Sequence, residues 1–291
     1  MYSNNILVTG IGGPAGRSAA AYLQKNGLSV IGTDIRDVDA PVRRFYKIPA
    51  ADDLSFSSVL LGIILKDNIS LLIPTVSEEL PVIAKLKRFI EECGCLVAIS
   101  PVHAVDIAND KLKTALFMAE HEVPVPKTFA AKTPKEQILD ELGLPLLAKP
   151  IIGRGGRGVA LHKTKEELYK EARENIIYQE FIPGEEFDLN LFLDRKNTIA
   201  SGVVLKKTIL KEGVVGNAVE VERTNREDII SLGIKAALLL EMEGPLDMDI
   251  RLREDGTPVL LEINARIGGN VLSATEILDS LIKSWRTMVC V

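Results

Sequence analysis

The sequence predicts an α/β protein in which an N-terminal, doubly wound parallel sheet precedes a second, α+β domain. Between Ile6 and about Ser100, short apolar runs alternate with helical patterns, an order typical of a parallel sheet with helices on both faces. Beyond residue 108 the strand-like runs come in adjacent pairs with turn residues between them, as in antiparallel sheets. We therefore expect a first domain over residues 1–108 and a second over residues 109–291.

The first domain begins with a glycine-rich turn. Residues 6–16 read ILVTGIGGPAG, an apolar run with glycines at positions 10, 12, 13 and 16, and the next apolar run ends at Asp34. Strand–turn–helix units of this kind hold the pyrophosphate of a dinucleotide, with an acidic residue on the ribose. Such a turn is a weak signal by itself. An NAD(P)-dependent oxidoreductase is therefore one alternative, and the motifs in the rest of the chain have to distinguish it from other functions.

The remaining elements of the first domain follow the same alternation. Strands are predicted at LSVIGTD, SLLIPTV and CLVAIS, and helices at RSAAAYLQKNG and EELPVIAKLKRFIEECG. Gly94 is suited to ending the second helix. The segment from Asp39 to Pro49 breaks the alternation, and we interpret it as a connecting loop.

The second domain contains a loop suited to phosphate. A helix at KLKTALFMAEHE runs into VPVPKTF, where two prolines favour an extended segment. In LPLLAKPIIGRGGRGVALH, Lys149 ends a strand, and a loop rich in glycine and arginine leads into the next strand. Backbone amides of such a loop can approach phosphate oxygens closely, although an ordinary surface hairpin is the alternative for this segment alone. No Gly-Lys-Ser/Thr follows, so the loop is not a Walker P-loop.

The most informative stretch is GPLDMDIRLREDGTPVLLEINARIGG, residues 244–269. Asp255-Gly256 between two alternating runs predicts a two-residue hairpin turn, which pairs Asp249 with Glu262. One face then presents six polar side chains: Asp247, Asp249, Arg251, Glu262, Asn264 and Arg266. The other face presents eight apolar side chains: Leu246, Met248, Ile250, Leu252, Val259, Leu261, Ile263 and Ala265.

The polar face of this hairpin predicts a metal site. Opposed carboxylates repel each other unless a cation or a proton lies between them. Carboxylate and amide oxygens are the ligands that Mg²⁺ prefers, with nucleotide phosphates completing the coordination, and arginines suit phosphate or carboxylate oxygens. A solvated sheet face with mixed charges is the alternative interpretation.

Residues 176–194, IIYQEFIPGEEFDLNLFLD, predict a strand ending near Phe181, a Pro183-Gly184 turn and a strand carrying Glu186. Free backbone groups at the edge of the first strand suit the edge of an adenine, and Glu186 suits ribose hydroxyls. A hairpin with solvated acids is the alternative for this segment taken alone.

In this order and at these spacings, the motifs resemble the ATP-grasp superfamily, most of all the ATP-grasp module of the carbamoyl-phosphate synthase large subunit. Related patterns occur in biotin carboxylase and D-alanine–D-alanine ligase. The resemblance covers essentially the whole chain, although Ala265 replaces the usual proline and Glu122 a common glycine. It implies an ATP-grasp fold of two subdomains, about 122–183 and about 184–291, with ATP between them.

The resemblance also implies a role for each matching residue. The residues implied to bind ATP are Lys111, Lys149, Gly153, Arg154, Gly155, Gly156, Gly158, Glu180, Phe181, Ile182 and Glu186. Mg²⁺, or Mn²⁺ in its place, would be held by Asp249, Glu262 and Asn264. Arg266 and Arg251 are implied to stabilise an acyl-phosphate, and Gly12, Gly13 and Glu78 are candidates for contact with substrate.

The function implied by the resemblance is that of an ADP-forming ligase. ATP would activate a substrate carboxylate as an acyl-phosphate, which an amine or another nucleophile attacks, with a loop over residues 206–225 bordering the acceptor site. The chain has one such module and no glutaminase, so we do not expect it to make carbamoyl phosphate alone. A catalytically silent ATP-binding protein is a further alternative.

Composition argues against nucleic-acid and membrane partners, and the resemblance implies small-molecule substrates. The net charge of −5 comes from interspersed acidic and basic residues without a basic stripe, so we expect no nucleic acid. The N-terminus does not resemble a signal peptide, and no apolar run reaches about 18 residues. We therefore expect a cytoplasmic protein without a membrane partner, with reduced cysteines and no zinc site, and we also consider a homodimer.

Overall fold

The structure is a computed structural model that describes residues 4–153, 155–196, 198–210 and 218–289. Its N-terminal sheet is parallel, and its strands are β1 (Asn5–Val8), β2 (Ser29–Asp34), β3 (Arg44–Lys47), β4 (Ile69–Ile73) and β5 (Leu96–Val97). The strand order is β3-β2-β1-β4-β5. The accompanying helices are α1 (Pro14–Lys25), α2 (Phe56–Lys66), α3 (Leu80–Glu92), α4 (Val102–Ala108) and α5 (Lys111–Glu120). This doubly wound order confirms the predicted fold class.

Strand β3 corrects one sequence-based interpretation. It lies inside the segment 39–49, which we interpreted as a loop, and it pairs in parallel with β2 through Ile31 and Arg44. The strand has four residues at the edge of the sheet, and none of its side chains is fully buried. An edge strand of this length has no apolar periodicity for sequence analysis to detect.

A second, small sheet is antiparallel and consists of β6 (Thr128–Ala130), β7 (Leu146–Pro150), β8 (Ala160–His162) and β9 (Ile176–Glu180), in the order β6-β9-β7-β8. It is covered by α6 (Lys135–Leu142) and α7 (Lys165–Lys170) and has its own apolar core around Ile138 and Tyr178. The glycine-rich loop joins β7 to β8, as predicted, because both flanking runs supply apolar residues to this core.

The third, central sheet is antiparallel and consists of β10 (Glu186–Leu193), β11 (Ile199–Leu210), β12 (Ala218–Thr224), β13 (Gly244–Leu252) and β14 (Pro258–Asn264), in the order β12-β11-β10-β13-β14. Residues 206–210 and 218–224 belong to β11 and β12, which corrects the expectation of a loop over residues 206–225. The helices of this part are α8 (Glu227–Leu239) and α9 (Glu276–Val289). Strands β9 and β10 belong to different sheets, so residues 176–194 do not form the hairpin that was the alternative interpretation.

The hairpin of β13 and β14 has the predicted partners at its polar end but a different turn. Arg253 N–H donates to the carbonyl of Thr257, so the loop has three residues, 254–256, with Gly256 at φ +84°. Ile250 pairs with Leu260, whereas Asp249 pairs with Glu262, which leaves Leu261 as a β-bulge. Without the bulge, the longer loop would have set Glu262 opposite Met248, on the core face.

The three-residue loop and the bulge together correct two face assignments. Val259, predicted on the core face, pairs with Arg251 and therefore lies on the polar face. Leu261, predicted on the core face, contributes to the same polar side, where it lines a cleft. Leu260 is buried in the core instead.

The N-terminal and central sheets share their apolar cores. One cluster joins Leu7 and Phe56 to Phe187 and Met248, and a second packs α1 and Trp285 of α9 together. The division at residue 108 stays a prediction, since packing is continuous across it. No helix within the described ranges combines the length and apolar character needed to cross a bilayer.

Helix α1 depends on the absence of a side chain at Gly16. A Cβ there would lie 2.3 Å from the carbonyl oxygen of Gly10, a backbone atom of the glycine-rich turn. We expect Gly16→Ala to lower the free energy of unfolding by about 1–3 kcal/mol, measured by urea denaturation with circular dichroism. Gly62→Ala in α2 is the control, because its Cβ would meet no atom within 4 Å, and it should be neutral or stabilising. Equal midpoints for the two variants would contradict this account.

Candidate active site

A cavity of about 660 Å³ lies where the three sheets meet. The central sheet forms its floor, β7 and the glycine-rich loop form one wall, and the turns that follow β1, β2 and β4 form the other. In doubly wound sheets, ligands bind beyond the carboxyl ends of the strands, and the second wall is such an edge. We call this cavity the cleft.

All six polar side chains of the β13–β14 hairpin line the cleft. Asp249 lies opposite Glu262 and Asp247 opposite Asn264, the pairs that the sequence predicted. Alternate residues of β13, such as Met248 and Ile250, are fully buried in the core. The period of two residues in a strand therefore separates a polar floor from an apolar underside.

Two lysines approach this floor from outside the central sheet. Lys111, the first residue of α5, donates a hydrogen bond to the carbonyl of Gly153 at 2.9 Å, and its Nζ lies 3.3 Å from Oε2 of Glu262. Lys149, at the end of β7, donates to Oε1 of Gln179 at 2.7 Å. Burial lowers the pKa of Lys149 to about 8, although the carboxylate of Glu262 opposes that effect.

The glycine-rich loop adopts a conformation that favours glycine. Gly155, Gly156 and Gly158 have φ values of +63°, +71° and +73°. Gly153, Gly155 and Gly156 line the cleft, as does Arg157. Arg154, also expected at the phosphates, lies outside the described residues. The carbonyl of Gly158 accepts a hydrogen bond from Arg173 at 2.5 Å, which ties the end of the loop to the small sheet.

A linker, residues 180–182, connects the small and central sheets, and its acidic side chain, Glu180, forms an ion pair. Both carboxylate oxygens of Glu180 contact the guanidinium of Arg253, which lowers the pKa of Glu180. Glu180 and Ile182 line the cleft, whereas Phe181 is not among its lining residues. The described chain provides no hydrogen-bond acceptor for the N–H of Ile182, so this backbone group is available to a ligand.

Arg251 supports this linker from the floor of the cleft. Its Nε donates to Oε2 of Glu186 at 2.7 Å, and its Nη1 donates to the carbonyl of Ile182 at 2.8 Å. The guanidinium also lies 5.6 Å from the centre of the Phe181 ring. These contacts give Arg251 a part in holding the linker, and its role at an acyl-phosphate stays a prediction.

Lys207, on β11, is a site residue that sequence analysis missed. Its Nζ lies 2.8 Å from Oε1 of Glu186 and 2.5 Å from Oδ1 of Asp249. Burial alone would raise the pKa of Asp249, but the ammonium of Lys207 holds it below its usual range. Lys206 and Lys207 are adjacent in the sequence, and nothing in the pattern VVLKKTI indicates which of them faces inward.

A second missed group surrounds Asp188, which is 2% exposed and lines the cleft. Its two oxygens accept hydrogen bonds from Nδ2 of Asn190 at 2.9 Å and Nδ2 of Asn270 at 2.8 Å. Burial, reinforced by the neighbouring carboxylate of Asp247, raises the pKa of Asp188 well above its ordinary value. The alternation in EFDLNLFL places Asp188 on the same face as Glu186, and this was the signal available from the sequence.

The turn after β1 contributes residues to the lining of the cleft, and Asp34 stabilises this turn. Oδ2 of Asp34 accepts the N–H of Gly12 at 3.0 Å, and Oδ1 accepts the N–H of Arg36 at 3.1 Å. A Cβ on Gly12 would lie 2.9 Å from Oδ2 of Asp34. Asp34 therefore stabilises the turn through two backbone hydrogen bonds. Of the two glycines predicted to contact substrate, Gly13 lines the cleft and Gly12 does not.

Glu79, and not the predicted Glu78, lies in the cleft. Glu78 is exposed, whereas Glu79 is 3% exposed and lines the cavity next to Thr75. The difference arises at the start of α3, where the N–H of Glu79 donates to the carbonyl of Val76 and closes a turn. Such a turn directs two consecutive side chains to different sides, and the sequence does not determine which of them is buried.

The donor set on the hairpin fits a magnesium ion. Within the described ranges no group of three or more His, Cys, Asp or Glu side chains is arranged for a metal, and this set has two carboxylates and one amide. Oxygen donors of these two types are those Mg²⁺ prefers. Glu262 contacts Lys111 and Asp249 contacts Lys207, so a divalent ion would share these carboxylates with ammonium groups or displace them.

Comparison with known proteins identifies the family. The ATP-grasp domain family matches residues 108–270, which is more than half of the chain. The protein therefore belongs to the ATP-grasp family, as its ordered motifs predicted, and is an enzyme of the ligase class. ATP and Mg²⁺ are the cofactors of this family in general, which favours the ligase interpretation over an NAD(P)-dependent oxidoreductase.

Two relatives and one solved structure illustrate the similarity. A carbamoyl-phosphate synthase from Methanobrevibacter smithii is 25% identical over 265 residues, covering 85% of this chain and 70% of that protein. A tyramine–L-glutamate ligase from Methanocaldococcus fervens is 25% identical over 243 residues, covering 83% and 74%. The crystal structure of an L-amino acid ligase from Bacillus licheniformis matches with a TM-score of 0.70 and 21% identity, covering 94% and 69%. The last similarity is one of fold.

Proposed function

We propose that this protein is an ATP- and Mg²⁺-dependent ligase that activates a substrate carboxylate as an acyl-phosphate and transfers the acyl group to an amine or other nucleophile. One observation carries the proposal. A single cleft brings Lys111 and Lys149 together with the oxygen donors of the β13–β14 hairpin, below a glycine-rich loop. These are the charges and backbone amides that a nucleoside triphosphate requires.

The nucleotide would lie along the cleft with its base towards the linker. Leu147, Ile182 and Leu261 contribute apolar side chains there, and the N–H of Ile182 is available to the edge of an adenine. Glu186, where β10 begins, would accept a hydrogen bond from the ribose through Oε1, which has one contact, from Lys207, whereas Oε2 is contacted by both Nε and Nη2 of Arg251. Lys149, Lys111 and the glycine-rich loop would then contact the phosphates.

Asp249, Glu262 and Asn264 would hold Mg²⁺, whose role when bound is to neutralise charge on the phosphates. Lys149 would orient the γ-phosphoryl group for attack by the substrate carboxylate oxygen, with ADP as the leaving group. Nη1 of Arg266 contacts Oδ2 of Asp247 at 2.9 Å, which positions the guanidinium in the cleft to stabilise the oxygens of the acyl-phosphate. The nucleophile would attack the acyl carbon, and inorganic phosphate would leave.

The acceptor would enter from the side of the N-terminal sheet. Gly13, Thr75 and Glu79 line that end of the cleft, and Ala218 of β12 borders it. Residues 211–217, within the segment expected to border the acceptor, lie outside the described residues. The relative that joins tyramine to L-glutamate supports an amine acceptor. A homodimer, use of Mn²⁺ and a cytoplasmic location stay predictions.

We expect Mg²⁺-ATP, and not NADH, to raise the melting temperature, because the cleft offers phosphate and metal ligands. Glu262→Ala should abolish the increase that depends on Mg²⁺ while its melting temperature without ligand stays close to that of the wild type. The control is Glu254→Ala, an exposed residue in the turn of the same hairpin. A shift with NADH alone, or an unchanged Mg²⁺-ATP shift in Glu262→Ala, would reject the assignment.

The pKa of Lys149, about 8, makes nucleotide binding dependent on pH. A lysine with a lowered pKa loses its proton as the pH rises above about 8, and bound phosphates restore it. We expect the Kd for ATP to increase by up to tenfold for each pH unit above about 8, with proton uptake detected by calorimetry in buffers of different ionisation enthalpy. Lys149→Met should remove this dependence, and the exposed Lys132→Met should retain it. Equal pH profiles for both variants would show that another group titrates.

The reaction class is tested by release of ADP across a matrix of small carboxylates and amines. We expect one carboxylate to stimulate release and an amine to increase it further, with inorganic phosphate formed in equal amount. Arg266→Met should reduce turnover by about 10²-fold or more while ATP still binds. If ATP binds and no pair of substrates stimulates release, the proposed acyl transfer from these carboxylates to these amines is rejected.

A further inference from the structure

The two ends of the glycine-rich loop meet at Pro150, the last residue of β7. A Cβ on Gly153 would lie 3.5 Å from Cβ of Pro150, and a Cβ on Gly158 would lie 2.9 Å from its Cγ. The carbonyl of Gly153 accepts a hydrogen bond from Lys111, which lines the cleft. The carbonyl of Gly158 accepts one from Arg173, which is not among the lining residues. The loop is therefore held at one end from inside the cleft and at the other end from outside it.

Glu171 orients the guanidinium of Arg173. Oε1 of Glu171 accepts hydrogen bonds from Nε of Arg173 at 2.9 Å and from its backbone N–H at 3.1 Å, and Oε2 accepts one from Nη2 at 2.5 Å. A guanidinium is planar, so a bidentate pair that fixes two of its nitrogens also fixes the third. The third nitrogen, Nη1, is the one that donates to the carbonyl of Gly158, at 2.5 Å.

The carboxylate of Glu171 is enclosed. Its side chain is 9% exposed, against 40% for that of Arg173, and Oε2 lies 3.5 Å from Nε2 of the buried His162 on β8. The hydrogen bonds from Arg173 lower the pKa of Glu171 to about 2, although burial opposes this effect. An ion pair contributes substantially when its geometry is bidentate, in contrast to an ordinary pair on the surface. The pair between Glu171 and Arg173 meets this condition.

The segment that carries this ion pair is attached to the small sheet. Residues 171–175 connect α7 to β9, and the N–H of Ile151, directly after β7, donates to the carbonyl of Asn175 at 3.1 Å. Within the loop itself, the N–H of Val159 donates to the carbonyl of Gly156 at 3.2 Å. Arg173 therefore connects a glycine-rich backbone, which has wide conformational freedom, to a segment whose position the sheet determines.

On the basis of the proposed function, we propose that Arg173, oriented by Glu171, positions the glycine-rich loop over the phosphates of the nucleotide. Arg173 acts through the carbonyl of Gly158 and is a positioning residue, since it lies outside the cleft lining. Fixing the end of the loop in advance reduces the entropy that its amides lose when they converge on a phosphate. The base would lie at the linker, where Arg173 makes no contribution. Arg173 therefore strengthens binding of the phosphates and leaves binding of the nucleoside unchanged.

The test compares binding of adenosine with binding of a non-hydrolysable ATP analogue and Mg²⁺, both by calorimetry. In Arg173→Met, we expect the Kd of the analogue to increase about tenfold, the effect of losing one hydrogen bond from a charged group, while the Kd of adenosine stays within about twofold. The control is Arg226→Met. Arg226 forms the same kind of bidentate pair with a carboxylate two residues away, that of Asp228, and it is not among the residues lining the cleft. This variant should bind both ligands as the wild type does.

Two further variants separate position from charge. Arg173→Lys keeps the positive charge but has a single nitrogen, so it cannot pair with both oxygens of Glu171 and also reach Gly158 in this geometry. It should therefore weaken binding of the analogue about as much as Arg173→Met. Glu171→Gln keeps the guanidinium but weakens its orientation, so the Kd of the analogue should increase by a smaller factor, with the Kd of adenosine unchanged. Circular dichroism establishes that the variants are folded.

Hydrogen exchange measured by nuclear magnetic resonance without nucleotide follows the loop directly. The N–H of Val159 should exchange about tenfold faster in Arg173→Met than in the wild type, because one hydrogen bond from a charged group no longer holds the loop. Equal losses of affinity for the analogue and adenosine, full affinity in Arg173→Lys, or unchanged exchange at Val159 would overturn the proposal. If the wild type does not bind the analogue, the proposed function fails, whereas the exchange of Val159 still decides whether Arg173 holds the loop.

Discussion

Carboxylates crowd the cleft face of the central sheet, and much of the architecture supplies them with positive partners. Buried carboxylates are tolerated only when charges or hydrogen bonds compensate for lost hydration. Asp247 is matched by Arg266, Asp249 by Lys207 and Glu262 by Lys111. Arg266 follows β14, Lys207 lies on β11 and Lys111 begins α5. Neutralising the buried carboxylates therefore requires that three distant segments of the chain meet at the cleft.

The register of the β13–β14 hairpin determines whether these charges face the cleft at all. A loop of three residues alone would turn Glu262 toward the core, where a carboxylate has no partner. The bulge at Leu261 restores the polar face and moves an apolar side chain into the cleft beside it. One extra residue thereby returns Glu262 to the polar face and adds an apolar side chain to the lining of the cleft.

The glycine-rich turn after β1 has the strand–turn–helix geometry of a dinucleotide-binding site, but its glycines and Asp34 have structural roles in this protein. A strand that leads directly into a packed helix requires small residues, since a Cβ at Gly16 would collide with the carbonyl of Gly10. Asp34 ends the neighbouring strand and accepts two backbone N–H groups of the surrounding turns. The resemblance to a dinucleotide site thus follows from the doubly wound fold, and Gly10, Gly13, Pro14 and Ala15 of this region line the cleft.

By itself the sequence determined the alternation of strands and helices in the N-terminal domain apart from β3, the two types of sheet, and the polar face at the end of the hairpin that carries Asp249 and Glu262. These features depend on local periodicity and on turn residues, which neighbouring residues encode. Tertiary structure alone decided which of two adjacent residues faces the cleft, as with Lys206 and Lys207 or Glu78 and Glu79. Tertiary structure also determined the length of the hairpin loop, the presence of the edge strand β3 and the contacts of Arg251 with the linker. Alternation shows that neighbours point to opposite sides, but only packing against distant strands shows which side is the cleft.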